Sequence, residues 1–336
     1  MSGKYEKKLT SIDIILSTIG YIVGAGIFAV IGIAAKYGKD FTWLAMIICG
    51  LLAICTGMSY SELASMYEKN GGEYFYVKDA FGNNSGMAVS LVLMLTEIMA
   101  ITAVAFGLSS YLTKIINIPV RLLTAGLLLI FAGINYSGIR SSINYNNFTT
   151  ILEVGVLLGI SILGCRKIPD KVFDLSKIDT KHVHSLIISV AVIFFAFIGF
   201  DVIIELSEET KNASRVIPYS MMIGIVISTL IYITVGLAAV SSIGWKTLSK
   251  SKAPLADVAK HLVGSKGYSV VYFIALLAMS NSILMGHVAA SRFLQGVSKS
   301  MNLPDRFGFD KIDETTKTPI NAIIFITACT LLSIGV

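Results

Sequence analysis

Long apolar runs recur along the whole chain, and they constrain its fold more than any other feature. About 20 consecutive apolar residues cross the hydrocarbon core of a bilayer as an α-helix. A strand of a membrane barrel would instead alternate in polarity at every second residue, and these runs do not alternate. We therefore predict an all-α polytopic membrane protein with about nine spans: residues 12–35, 42–66, 87–112, 119–138, 148–165, 186–206, 217–243, 268–297 and 319–336.

Charge and composition agree with a membrane protein. The chain is 54% hydrophobic and 14% charged, whereas soluble domains carry about 25% charged residues. The 27 Lys and Arg residues divide almost evenly between the two sides, so the positive-inside rule gives no orientation. Lys4, Lys7 and Lys8 precede the first run, which is too long for a signal peptide and has eight more runs after it. These three lysines favour a cytoplasmic N-terminus. We expect an integral, multi-pass protein of the plasma membrane.

The first span contains glycines where a stable helix is needed. The stretch "IVGAGIF", residues 22–28, holds Gly24 and Gly26, and each glycine costs about 1 kcal/mol against alanine inside a helix. Unwound backbone is tolerated in hydrocarbon only where it lines a cavity in the protein. Small residues four apart, such as Gly20 and Gly24, also let helices pack closely. The first span alone leaves both interpretations open.

The sixth span contains a second interruption. In "FIGFD", residues 197–201, Gly199 lies two residues before Asp201. Two interrupted helices at matching positions in two halves of a chain indicate the central site of a transporter. An unwound pair also accounts for an acid deep in an apolar span, so we predict breaks in both helices.

Several motifs in order along the chain resemble one family. The stretch "GYIVGAGIFAVIGIAAKYG" resembles the first helix of the amino acid–polyamine–organocation (APC) superfamily of permeases. The later segments that resemble this superfamily are "YSELASMYEKNGGEYFYVKDAFG" (60–82), "FFAFIGFDVIIELSEETKNASRVIPYSM" (194–221), "KAPLADVAKHLVG" (252–264, a loop helix after span seven) and "SRFLQGVSKSMNLPDRFG" (291–308). The resemblance covers essentially the whole chain.

The resemblance implies a LeuT-like fold of two inverted five-helix repeats, with helices one and six broken. The first repeat would be residues 1–165 and the second residues 166–336. Five plus five helices need a tenth span, and the printed sequence contains nine. We therefore expect the second repeat to be incomplete.

The resemblance also implies a substrate site at the two breaks. Backbone N–H groups at the break in helix one lie at the positive end of a half-helix and would bind a carboxylate. Freed carbonyl groups of both helices would accept hydrogen bonds from an ammonium group. The expected substrate-binding residues are Ile22, Gly24, Ala25, Gly26, Ile27, Phe195, Ala196 and Ile198. Phe195 and Phe197 are candidates for an aromatic gate, with core packing as the alternative.

Ionisable residues inside membrane spans are functional candidates because burying them is costly. They are Glu97, Glu153, Asp201, Glu205 and His287. We expect all Lys and Arg residues to lie in loops or tails, so these acids would have no basic partner. Glu97 is favoured as structural, and Glu205 could equally serve interfacial hydrogen bonding.

Glu153 and Asp201 are the candidates for coupling to an ion. Sodium-independent permeases that resemble this chain carry a lysine on helix five, and that position falls on Glu153. A carboxyl group there could carry a proton or help hold a cation. Alternatively, a neutral Glu153 could hydrogen-bond loose backbone groups, and Asp201 could serve interfacial hydrogen bonding.

These observations predict a secondary active transporter that moves L-amino acids by alternating access, proton-coupled or as an exchanger. Its partners would be the small-molecule substrate and membrane lipid, without nucleic acid, and it needs no cofactor beyond a coupled proton. His182 and His184 are too few ligands for a metal site, and the chain has no P-loop or catalytic triad, so we predict neither a metal nor an enzyme. The alternative is a truncated, non-transporting amino-acid-binding or partner membrane protein.

Overall fold

The computed structural model describes residues 4–113, 116–168, 173, 180–301 and 307–335. Within these ranges the chain forms eleven α-helices: α1 Ser11–Gly38, α2 Thr42–Met66, α3 Gly72–Phe81, α4 Asn83–Leu112, α5 Val120–Tyr136, α6 Ile139–Gly164, α7 Thr180–Phe194, α8 Ala213–Leu248, α9 Pro254–Val263, α10 Ser265–Ser300 and α11 Ile320–Ser333. Nine of them overlap the predicted spans, although α7 ends at Phe194, within the span predicted at 186–206. The other two, α3 and α9, are short helices between spans, and α9 is the loop helix expected after span seven.

Helix length and hydropathy confirm a protein with several membrane spans. Six helical stretches are long and apolar enough to cross a membrane: Ser11–Met66, which contains α1 and α2, Asn83–Leu112, Ile139–Gly164, His182–Glu209, Ala213–Leu248 and Ser265–Ser300. Helices α5 and α11 are shorter and also apolar. The division into two repeats after residue 165 stays a prediction.

Helix α1 lies at the centre of the bundle, where it packs against α6, α7, α8 and α10. Its buried side chains, among them Ile14, Val23 and Ile31, belong to the main hydrophobic core. Thr10 begins the helix with a capping box, in which the backbone N–H of Thr10 donates to Asp13 Oδ2 at 3.0 Å. We call the end of the bundle at which α1 begins the N-side.

The predicted break in α1 is confirmed at Gly24. Its φ of −18° and ψ of −137° lie outside the helical region, although the helix continues on both sides. Gly26 then allows a close approach, because a Cβ atom there would lie 2.9 Å from the Ala196 Cα. The two interrupted segments therefore touch.

The predicted break in the sixth span is confirmed as well. Helix α7 ends at Phe194 and continues as two 3₁₀ segments, Phe195–Phe197 and Asp201–Glu209. Between them Gly199 has a φ of +117°, and a Cβ atom there would lie 2.2 Å from the Tyr21 Cδ1. Glycine is needed at this point for both reasons.

The expectation that every Lys and Arg lies in a loop or tail is wrong for Arg292. This residue lies within α10 and is fully buried. Its Nε donates to Glu209 Oε2 at 2.7 Å and its Nη2 to Glu209 Oε1 at 3.2 Å. A buried cation is tolerated there because a carboxylate neutralises it with good geometry.

Candidate functional site

A cavity of about 170 Å³ lies between the two helix breaks, and we call it the break cavity. It is bounded by α1, α4, α10 and the interrupted segment that follows α7. Its lining residues are Tyr21, Ile22, Ala25, Gly26, Glu97, Ala100, Ile101, Val104, Phe195, Ala196, Ile198, Gly199, Asp201, Val202 and Ser282.

Six of the eight predicted substrate-binding residues line this cavity: Ile22, Ala25, Gly26, Phe195, Ala196 and Ile198. The other two, Gly24 and Ile27, do not. Ile27 is fully buried in the core, and a Cβ atom on Gly24 would lie 2.4 Å from Ser282 Oγ.

The two phenylalanines named as a gate point in different directions. Phe195 is 63% exposed and lines the break cavity. Phe197 is fully buried, with its ring centroid 4.9 Å from that of Tyr232 in an edge-to-face contact. Phe197 therefore packs in the core, while Phe195 is the aromatic side chain at the cavity.

The Tyr232 hydroxyl joins the two breaks. It lies 2.6 Å from the carbonyl oxygen of Ile22 and 2.9 Å from that of Ala196. A hydroxyl group has one hydrogen to donate. It can therefore satisfy only one of these two carbonyl groups at a time.

The Ser282 hydroxyl contacts the backbone on the C-terminal side of the break in α1. It accepts a hydrogen bond from the Ala25 N–H at 3.2 Å and donates one to the carbonyl of Ala278 at 3.1 Å. The first amide after Gly24 is thus held by α10, and Gly26 follows it in the cavity wall.

Two carboxyl groups face the break cavity, those of Glu97 and Asp201. The Tyr21 hydroxyl donates to Glu97 Oε1 at 2.8 Å. The Gly199 N–H donates to Asp201 Oδ1 at 3.1 Å. Both acids are fixed by these bonds, and neither forms an ion pair with a described Lys or Arg.

A second cavity of about 190 Å³ adjoins the first and extends toward the N-side. The N-side cavity shares Glu97, Ile198, Asp201 and Val202 with the break cavity, and adds Glu73 and Glu205.

Glu73 lies in the first turn of α3, and Glu205, in the 3₁₀ segment Asp201–Glu209, contacts the start of that helix. Glu205 accepts hydrogen bonds from the N–H groups of Gly71 at 2.6 Å and Gly72 at 3.3 Å. Removal from water, and then the nearby Asp201 carboxylate, raise the pKa of Glu73, which lies in α3 outside the membrane spans.

Glu153 lies away from both cavities. It is fully buried, and neither of its carboxyl oxygens has a hydrogen-bond partner among the described residues. Thr150 Oγ1 and Asn281 Oδ1 are also buried without a hydrogen-bond partner among the described residues. Tyr232, the residue between the two breaks, is within electrostatic reach of Glu153.

Comparison with known proteins gives the family. A family model described as "Amino acid permease" matches residues 9–336. The chain belongs to the amino acid permease family. It is thus an integral multi-pass membrane protein of a secondary transporter family, not an enzyme.

Curated relatives of this permease have different named roles. It is 26% identical over 346 residues to cationic amino acid transporter 1 of Arabidopsis thaliana, covering 97% of this chain and 57% of that protein. It is 25% identical to two proteins of Bacillus subtilis, the methylthioribose transporter and the branched-chain amino acid permease BcaP. Each of these matches covers 95% of this chain and 72% of the relative.

Solved structures confirm the LeuT-like fold of the permease. A Na⁺-coupled sialic acid symporter in a substrate-bound, outward-open state matches with a TM-score of 0.67 and 16% identity, covering 98% of this chain and 74% of that one. A nucleobase–cation–symport-1 family transporter in a closed conformation also matches, with a TM-score of 0.67 and 13% identity over 99% of this chain and 73% of that one.

Sequence reasoning missed several residues at the site of this permease. Tyr232 and Ser282 gave no signal, since a tyrosine or serine in a span is ordinary. Glu73 lies in a polar stretch between spans, where acids are common. Glu97 gave a signal, as an acid in mid-span, but was favoured as structural, and it lines both cavities.

Proposed function

We propose that this permease moves an α-amino acid across the membrane by alternating access, and that it binds the amino acid head in the break cavity. The observation that carries the proposal is the shared Tyr232 hydroxyl. Because it can donate to only one of the carbonyls of Ile22 and Ala196 at a time, the other is open to a second donor. An ammonium group has three donors and would supply it.

The carboxylate of the substrate would lie at the N-terminal end of the second half of α1. The backbone amides that follow a helix break have no partner within the helix and carry the positive end of its dipole. Ser282 holds the amide of Ala25, so Gly26, which lines the cavity, offers the next N–H group. Glycine at position 26 leaves this backbone open to a ligand.

Glu153 would couple transport to a proton or another cation. A buried carboxylate without a donor is very costly, so the group stays neutral unless a cation accompanies it. Its reach to Tyr232 links its charge to the hydroxyl that holds both breaks. Loss of a proton from Glu153 would therefore change the balance between the two carbonyls at the substrate site. Asp201, in the cavity wall, is the second coupling candidate.

The test is uptake of radiolabelled amino acids into proteoliposomes, with and without an inward proton gradient. We expect the gradient to stimulate uptake by the unchanged chain, and Glu153→Gln to abolish that stimulation while equilibrium binding persists. Glu62→Gln is the matched control, because Glu62 is exposed on α2.

Three results would count against parts of the proposal. If no amino acid is bound or taken up, the proposed function is wrong. Saturable binding without uptake would favour a non-transporting binding protein. Gradient-driven uptake that persists in Glu153→Gln would exclude Glu153 as the coupling group.

A further inference from the structure

We propose that the amino acid moved by this permease has a positively charged side chain, and that Glu97 is the residue that selects it. This inference rests on the proposed function and specifies the substrate class of the same cavity. The argument depends on the acids of the cavity, their partners and the shape of the α4 face that bears Glu97.

The two adjoining cavities contain acids and no base. Four carboxyl groups line them, those of Glu73, Glu97, Asp201 and Glu205, and no Lys, Arg or His is among the described lining residues. The described ion pairs all involve other acids. A region of this kind attracts cations and is unfavourable for anions.

The acids are too dispersed for a metal ion. Among the described residues, no group of three or more His, Cys, Asp or Glu side chains could hold one. An organic cation such as a guanidinium or ammonium group has several N–H donors and needs only one or two carboxylates. The spacing therefore favours an organic cation.

Glu97 has acceptor capacity that the protein does not use. Tyr21 donates to its Oε1, and no described donor reaches its Oε2. By contrast, Glu205 is held by the amides of Gly71 and Gly72, and Glu209 by two bonds from Arg292.

A second, independent feature of the same cavity can accept a donor. The carbonyls of Ile22 and Ala196 share the single hydrogen of the Tyr232 hydroxyl, and both residues line the break cavity. The cavity therefore has two separate places for positively charged donors, one at the helix breaks and one at Glu97. An amino acid with a basic side chain carries two such groups.

The face of α4 suits the aliphatic part of a basic side chain. Glu97, Ala100, Ile101 and Val104 all line the cavity, and their spacing puts them on one face of the helix. Lysine and arginine bury their methylene groups along apolar surface and keep the charged end at a polar group. The methylene groups would lie along Ala100, Ile101 and Val104, with the charge at Glu97.

The test compares arginine with citrulline, its uncharged analogue of nearly the same shape. Binding of tritiated arginine to the purified chain in lipid nanodiscs is displaced by arginine, citrulline, lysine or leucine. We expect citrulline to bind about 30-fold or more weakly than arginine, the effect of removing one partner of a buried charge pair. Glu97→Gln keeps an acceptor for Tyr21 and should lose this preference, whereas Glu62→Gln should keep it.

Each result tests a different part of the proposal. If leucine and citrulline bind as tightly as arginine, the substrate class is wrong and the proposed function stands. If no amino acid binds, the proposed function fails and this inference fails with it. If Glu97→Gln keeps the arginine preference, the assignment of Glu97 is wrong. The arginine–citrulline comparison on the unchanged chain decides the substrate class even if that variant does not fold.

Discussion

Acids inside this permease have two opposite kinds of surroundings, one at the buried Glu209 and one at the half-buried Glu97 and Asp201. Glu209 accepts hydrogen bonds from Nε and Nη2 of Arg292, whose Nη1 donates to Asn135 Oδ1 at 2.8 Å. Glu97 and Asp201 face a cavity. Glu97 has a single described hydrogen bond, to Oε1, whereas the backbone amides of Gly199, Asp201 and Val202 reach the Asp201 carboxylate. Glu209 is thus paired within the protein, and Glu97 leaves Oε2 without a described donor.

The difference teaches that the partner of a buried acid, more than its depth, indicates its role. A buried ion pair with complete hydrogen bonding holds helices together, and losing one member leaves an uncompensated charge. An acid in a membrane span with free acceptors is costly to keep and is expected to serve a ligand or an ion. Changes at the Glu209–Arg292 pair should therefore affect stability, and changes around Glu97 should affect binding.

The largest expected effect on binding is that of Gly26→Leu. A side chain at this position would enter the space between the two breaks, where even a Cβ atom would lie 2.9 Å from the Ala196 Cα. We expect amino acid affinity to fall at least about 100-fold, or about 2.8 kcal/mol, as measured by radioligand binding.

A matched control is Gly133→Leu. Gly133 is an exposed glycine in α5, and a Cβ atom there would meet nothing within 4 Å. Binding should be unchanged in this variant. Normal affinity in a folded Gly26→Leu protein would mean that the break in α1 serves helix packing alone.

The largest expected effect on stability is that of Arg292→Met. It leaves the Glu209 carboxylate buried without its cation, which costs about 3–5 kcal/mol in comparable buried pairs. Thermal unfolding in detergent should show a large fall in the unfolding temperature. Amino acid affinity in the surviving folded protein should change little, because neither residue lines a described cavity.

The double variant Arg292→Met with Glu209→Met sharpens this test. Replacing both members of a buried pair by apolar residues is often neutral or stabilising. We therefore expect much of the lost stability to return. A double variant that is no more stable than Arg292→Met would show that the uncompensated charge is not the cause.

Nine apolar helices and both breaks could be predicted from the sequence, because apolar runs and glycines act locally. Gly24 and Gly199 could be identified from their own neighbours in the chain. The hydrogen-bond partners of the buried acids could not be identified in this way. Glu205 and Glu209 lie four residues apart in one 3₁₀ segment, and one is held by the α3 amides while the other is held by Arg292 of α10.

The bond between the breaks was also beyond sequence reasoning. Tyr232 lies 210 residues after Ile22 and 36 after Ala196, and only the packing of α8 against α1 brings its hydroxyl to both carbonyls. Arg292 already lay inside the predicted span 268–297, and what the sequence could not show was its buried partner Glu209. Arg292 can be buried because Glu209, in the 3₁₀ segment Asp201–Glu209, neutralises its charge.

The smallest expected effect, and the one that tests the link between the two breaks, is that of Tyr232→Phe. The ring can keep its contact with Phe197, while the carbonyls of Ile22 and Ala196 lose their shared donor. A buried acceptor left unsatisfied costs about 1–3 kcal/mol, so the unliganded protein should unfold at a lower temperature.

The response of the Tyr232→Phe protein to ligand separates two roles of the hydroxyl. If an ammonium group supplies the missing donors, the bound amino acid should raise the unfolding temperature of Tyr232→Phe by more than it raises that of the unchanged chain. Tyr219→Phe, at an exposed tyrosine of the same helix, should change neither value. A folded Tyr232→Phe protein that binds no amino acid would instead mean that the hydroxyl is required to hold the site in its binding conformation. The breaks would then depend on α8 for their shape, as the Glu209 carboxylate depends on Arg292 of α10 for its partner.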